Sequence, residues 1–111
     1  MSKSLITTHI LDTSLGLPAA HVAVTLSLQV DQQWQALDTQ QTDSDGRILN
    51  WALSDGQLPF GLYRLRFDTA AYLGDTAFFP WVDICFQRRD DRHHHIPLLL
   101  TAFGYSTYRG S

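Results

Sequence analysis

Valine and leucine recur at every second position through Val22, Val24, Leu26, Leu28 and Val30, with Ala23, Thr25, Ser27 and Gln29 between them. A period of two belongs to pleated backbone, whose successive side chains point to opposite faces, so this run is a strand with one apolar side to bury. Such a strand needs neighbours in a sheet and a second layer over its apolar face. The rest of the chain supplies both. Leu5 to Leu11 is rich in threonine and isoleucine and closes on turn-forming Asp12, Thr13, Ser14, Gly16 and Pro18. The pair Asp31-Gln32 turns the chain into a further strand over Trp34 to Thr42, and Asp43-Ser44-Asp45-Gly46 is a tight-turn signal. A short strand at Ile48 and Leu49 leads into a loop from Asn50 to Phe60, which contains Asp55-Gly56 and Pro59. Leu62 to Phe67 then sets Tyr63, Leu65 and Phe67 against Leu62, Arg64 and Arg66.

One segment departs from this rhythm. Thr69 to Leu73, preceded by Asp68 and stopped by Gly74, predicts a short helix with an aspartate N-cap. Strands resume at Trp81 to Phe86, and the charged run Gln87 to Arg92 predicts a solvent-exposed hairpin loop. In the next strand His93, His95, Pro97, Leu99 and Thr101 share one face, while His94, Ile96, Leu98 and Leu100 form an apolar face that reads as core. Pro97 predicts an edge position or a bulge. Ala102-Phe103-Gly104 turns the chain into the terminal stretch Tyr105 to Ser111. Seven or eight short strands with at most one helix predict an all-β protein, an antiparallel β-sandwich.

Composition narrows the class of function. At 111 residues the chain is expected to form one domain, 1–111, large enough to bury a core without disulfides or metal. A net charge of −3 has the wrong sign for a phosphate backbone, so nucleic acid is not an expected partner. No apolar run approaches the length that spans a bilayer, and no membrane is expected. The single cysteine, Cys85, sits among Val82, Ile84 and Phe86, and its expected role is a buried, inert thiol. With no partner for a disulfide and no apolar secretory core at Met1-Ser2-Lys3-Ser4, the expected location is the cytoplasm.

Chemistry concentrates at four places. His9 lies in the first strand, where an imidazole is either a satisfied structural group or a catalyst. Arg47 follows the Asp45-Gly46 turn, a position that suits a solvated charge or a side chain held at the rim of a site. His93 and His95 share a strand face, and with His9 they could reach one metal ion, although no strong ligand spacing or cysteine accompanies them. The same imidazoles suit acid–base work near neutral pH. The terminal Tyr108-Arg109-Gly110-Ser111 ends the sequence on a fixed cation beside the α-carboxylate. Glycine-rich phosphate loops and nucleophile elbows are missing. Imidazoles, guanidiniums and one carboxylate suit water attack on an anionic heterocycle.

Thr8-His9-Ile10-Leu11-Asp12, Asp45-Gly46-Arg47, Phe79-Pro80, His93 to Leu100 and Tyr105 to Ser111 closely resemble the 5-hydroxyisourate hydrolases, the transthyretin-like enzymes of urate breakdown. The resemblance runs the length of the chain. Transthyretin, the hormone carrier of the same fold, lacks the Tyr-Arg-Gly-Ser ending and the catalytic residues. Departures fall at Thr101-Ala102, where Ser-Pro is common, and at His94, where an aromatic residue is common. The resemblance implies a sandwich of two four-stranded sheets with one short helix. It also implies a homotetramer, a dimer of dimers, with sites at the dimer–dimer interface. The implied reaction is hydrolysis of 5-hydroxyisourate to 2-oxo-4-hydroxy-4-carboxy-5-ureidoimidazoline, without metal or organic cofactor. Its implied catalytic residues are His9, Arg47, His95 and Ser111, and its implied substrate-binding residues are His9, Arg47, Tyr108, Arg109 and Gly110. A non-catalytic carrier of a small aromatic ligand is the alternative, but a carrier needs apolar walls rather than imidazoles beside arginine.

Overall fold

In the computed structural model, which describes residues 3–111, the alternating run becomes strand β3 (Ala23–Val30), with Val24 and Leu26 fully buried. Asp31 and Gln32 both take positive φ, 52° and 66°, in the two-residue loop that returns the chain into β4 (Gln33–Gln41). Beyond β3 lies β6 (Gly61–Phe67), whose Tyr63, Leu65 and Phe67 point inward as their alternation predicts. Strand β7 (Val82–Arg88) completes this sheet in the order β4-β3-β6-β7, antiparallel throughout.

The facing sheet is built on β1 (Ile6–Asp12) and β8 (His94–Leu100). β1 carries two short partners on one side, β2 (Leu17–Pro18) and β5 (Arg47–Ile48), and β8 carries β9 (Tyr105–Thr107). The expected sandwich of two sheets is present, with β5 as a fifth member of the second sheet. One pairing differs from the antiparallel expectation, because β1 and β8 run parallel from Ile6 opposite His94 to Asp12 opposite Leu100. Parallel neighbours need a long connection, and here the whole intervening chain supplies it.

The core lies between the layers. Ile6 and Ile10 of β1 and Ile96, Leu98 and Leu100 of β8 meet Leu26, Leu65, Phe67, Val82 and Ile84 from the opposite sheet. Trp51 closes one end and donates its indole N–H to the Ile6 carbonyl at 3.0 Å. The predicted helix α1 spans Thr69–Leu73, with the Asp68 carboxylate accepting from the Ala71 amide and Gly74 at its C-terminal end with φ 67°. Phe79 and Pro80 tie it down, their carbonyls accepting from the Thr69 hydroxyl and the Ala70 amide.

Three local expectations are corrected. Gln87 to Arg92 is no hairpin loop, since β7 and β8 belong to different sheets and the segment crosses between them. Arg88 lies inside β7 and is buried, its guanidinium 5.1 Å from the Phe60 ring centroid. Cys85 is exposed rather than buried, because a period of two that turns Val82 and Ile84 inward turns the residue between Ile84 and Phe86 outward. Pro97 is at neither an edge nor a bulge; it sits mid-strand between β1 and the terminal segment, where the Thr107 hydroxyl donates to its carbonyl at 2.7 Å.

Candidate active site

The site is assembled on the outer face of the β1–β8 sheet. Ile6, Thr8 and Ile10 turn toward the core, so Thr7 and His9 emerge on the opposite side. The tight turn before β5 brings the cation to His9. The Asp43 carboxylate accepts from the amides of Asp45 and Arg47, both at 2.9 Å, and Gly46 passes through φ 74°. A Cβ at Gly46 would stand 2.5 Å from the Ile10 carbonyl oxygen, so only glycine lets the turn lie this close against β1. The result is a register in which Arg47 is the direct partner of His9, on the same face.

His95 arrives from the other side. It pairs with Thr7 across the parallel ladder, one alternate position from His9, and its Nδ1 lies 2.7 Å from the Thr7 hydroxyl. The terminal segment locks against it, because the Gly110 amide donates to the His95 carbonyl at 2.8 Å. A Cβ on Gly110 would come within 2.5 Å of the His95 ring, so this glycine is a requirement of close approach.

The electrostatics favour the neutral form of both imidazoles. Burial lowers the His95 pKa, and the neighbouring His93, Arg47, His9 and Lys3 push it the same way. Burial and then Arg47 lower His9, against an opposing pull from the Asp45 backbone and the carboxylates of Asp43 and Asp45. Among the described residues, Arg47 has no carboxylate within ion-pairing distance. Two neutral bases beside an unneutralised guanidinium can activate water and receive an anion.

The remaining expected residues lie across β8 from β1. Tyr108 and Arg109 line a cleft of about 260 Å³ with Cys85, Phe86, His94, His95 and Ile96, and Arg109 approaches Asp90 at 3.9 Å. Ser111 is exposed, one residue past the Gly110 bridge. Within one chain, His9, Arg47, His95 and Gly110 are therefore grouped, and His95 also borders the cleft of Tyr108 and Arg109, linking the two sets across β8. Among the described residues no group of three or more His, Cys, Asp or Glu side chains is arranged to hold a metal ion. The residue that sequence inspection missed is Thr7, 1% exposed, whose hydroxyl also lies 2.9 Å from His93 Nε2. Its only sequence signal is its place two residues before His9 on the same strand face.

The fold and this face define a two-layer β-sandwich with a histidine–arginine surface. Residues 6–110 match the HIUase/Transthyretin family. The chain is 42% identical to the 5-hydroxyisourate hydrolase of Mus musculus, covering 98% of this chain and 97% of the mouse protein. The solved structure of Klebsiella pneumoniae 5-hydroxyisourate hydrolase superposes with a TM-score of 0.83 at 36% identity over the whole of both chains. Sea bream transthyretin in complex with thyroxine gives 0.87 at 35% identity, covering 95% of this chain and 93% of its own. This protein belongs to the HIUase/Transthyretin family.

Proposed function

We propose that the chain hydrolyses 5-hydroxyisourate in urate breakdown, opening the six-membered ring at its amide bond to give 2-oxo-4-hydroxy-4-carboxy-5-ureidoimidazoline. The observation that carries this is the register across β5, β1 and β8, which brings the His9 and His95 imidazoles and the Arg47 guanidinium to one sheet face. The mouse and Klebsiella relatives named for this activity support the choice of substrate. In the mechanism, His9 and His95 position a water molecule and one of them takes its proton as the oxygen attacks the amide carbon. Arg47 holds the anionic purine and receives the charge developing on the carbonyl oxygen. When the C–N bond breaks, the imidazolium returns its proton to the departing nitrogen, so the carboxyl group and the nitrogen share the elements of water. Ser111 orients an imidazole through its hydroxyl, and Tyr108, Arg109 and Gly110 line the bound ring.

The same proposal includes a homotetramer, a dimer of dimers acting in the cytoplasm. His9 and Arg47 lie on an open sheet surface, and a reacting centre needs walls that exclude bulk water. A second copy laid over this face provides them, with the sites at the dimer–dimer interface. Thyroxine-bound sea bream transthyretin and the Klebsiella hydrolase share this fold, so fold alone does not favour the carrier alternative, and a carrier has no use for this histidine–arginine face. The test is stopped-flow absorbance on freshly generated substrate, with light scattering to follow the assembly. His95→Ala and His9→Ala are each expected to lose about 10²–10⁴ of turnover while the oligomer survives. Wild-type rates in both variants would overturn the assignment, and a wild-type protein that binds without turnover would favour the carrier.

A further inference from the structure

The Thr7 hydroxyl stands between two imidazoles, 2.7 Å from His95 Nδ1 and 2.9 Å from His93 Nε2. The two rings lie 6.2 Å apart, inclined by 28°. Thr7 itself is 1% exposed, and its position is set by the β1 backbone rather than by solvent. A hydroxyl has one proton to give and two lone pairs to accept with. It can therefore satisfy both imidazoles in two complementary ways. If His95 carries its proton on Nδ1 and donates it to Thr7, the threonine proton turns to His93, and His95 Nε2 is left as a free base. If the threonine proton turns to His95 Nδ1, His93 must donate from Nε2, and His95 holds its own proton on Nε2, where it cannot act as a base.

We propose that Thr7 and His93 are positioning residues for His95: the threonine hydroxyl couples the two rings, holding His95 with Nε2 unprotonated at rest and passing its second proton on to His93. The relay balances. A proton taken up at His95 Nε2 is matched by loss of the Nδ1 proton to Thr7 Oγ1, whose own proton passes to His93 Nε2. His95 then becomes the neutral Nε2–H form and His93 the imidazolium. Reversal of the two hops restores the starting state. A histidine that serves as a base usually has a second group fixing its other ring nitrogen, often a carboxylate. The groups facing His95 here, among the described residues, are Thr7 and His9 from β1, Arg47 from β5, His93 from its own chain segment, Tyr108, Arg109 and Gly110 from the terminal segment and Lys3 from the N-terminal side. None is a carboxylate, and the threonine takes that place.

This inference rests on His95 handling protons in the proposed hydrolysis, so its test includes a readout that needs no turnover. Nitrogen-15 NMR of the intact protein reports the His95 tautomer directly. The wild type and Thr7→Ser are expected to show His95 protonated at Nδ1, and Thr7→Val to lose that preference. In Thr7→Val the titrations of His93 and His95 are expected to separate, since the shared hydroxyl no longer links them. The kcat of Thr7→Val is expected to fall about 10–100-fold, the cost usual for an orienting partner of a histidine, with KM little changed. Thr7→Ser should recover most of it, and His93→Gln should reproduce part of the loss with a shifted acid limb in the pH profile. An unchanged tautomer and unchanged kcat in Thr7→Val would overturn the proposal. Absence of turnover in the wild type would overturn the hydrolase function, while the tautomer measurement would still decide the role of Thr7.

Discussion

The two sheets carry similar side chains on their outer faces and treat them in opposite ways. On the β4-β3-β6-β7 sheet, the cations of the outer face are engaged by a carboxylate or an aromatic ring beside them. Arg66 forks onto Asp83 at 2.7 and 2.8 Å and lies 5.5 Å from the Trp81 ring centroid, while Arg64 covers Trp34 at 4.7 Å. Even the hydroxyls of Thr25 and Thr39 bond each other, at 2.8 Å. On the β1–β8 sheet, Arg47 faces His9 instead of a carboxylate, and His95 is surrounded by cationic or neutral groups. A face whose cations are already engaged by neighbouring side chains has less left to offer a ligand. The unpaired face keeps its guanidinium and imidazole lone pairs available.

The sharpest way to break this contrast is to make the same substitution on each side. Arg47→Gln is expected to cut turnover about 10²–10³-fold, as removal of a group aimed at developing negative charge does. Arg66→Gln is expected to leave turnover at the wild-type level, since an exposed ion pair contributes at most about 1 kcal/mol to stability. Equal activity losses in the two variants, by steady-state absorbance, would erase the distinction between the faces.

A smaller effect is expected from Gly110→Ala. The added methyl collides with the His95 ring, and a displacement of about 1 Å at a reacting group costs on the order of 100-fold. A crystal structure of the variant with His95 unmoved and activity intact would show that the close approach has no catalytic consequence.

Acid should act next, and gradually. Burial lowers the pKa of His95 first, and neighbouring cations add to it, so the acid limb of kcat/KM should have its midpoint below the ordinary imidazole value of about 6.5. Turnover should then fall about tenfold per pH unit below that midpoint. Stability follows the same sign. His9, His93, His94 and His95 all bind protons less readily folded than unfolded, so their contribution is complete above the unfolded value. It is lost as pH falls from there toward the folded values. A midpoint above the ordinary value, or denaturant stability that rises on acidification through this range, would contradict the cause assigned here.

Much of this was legible in the residues. The alternation of β3, the Asp68 cap before α1 and the Asp43-Ser44-Asp45-Gly46 turn are local, because each depends on residues a few positions apart, and each appears where the sequence puts it. The expectation that Cys85 is buried fails against the same alternation, because its apolar neighbours occupy the alternate positions and so face the other way. Sequence also nominates His9, Arg47 and His95 as chemical groups. It does not say that the first two are register partners, which depends on Gly46 packing against Ile10.

What the chain determined alone was therefore its period, its turns and its list of reactive side chains, since these follow from steric preferences within a few residues. What only the tertiary structure decided was the parallel β1–β8 pairing and the meeting of the Thr7 hydroxyl with His93 and His95, groups 86 and 88 positions apart. Contacts at that separation arise from the way two layers bury one core, and no local pattern encodes which strand will become the neighbour of which.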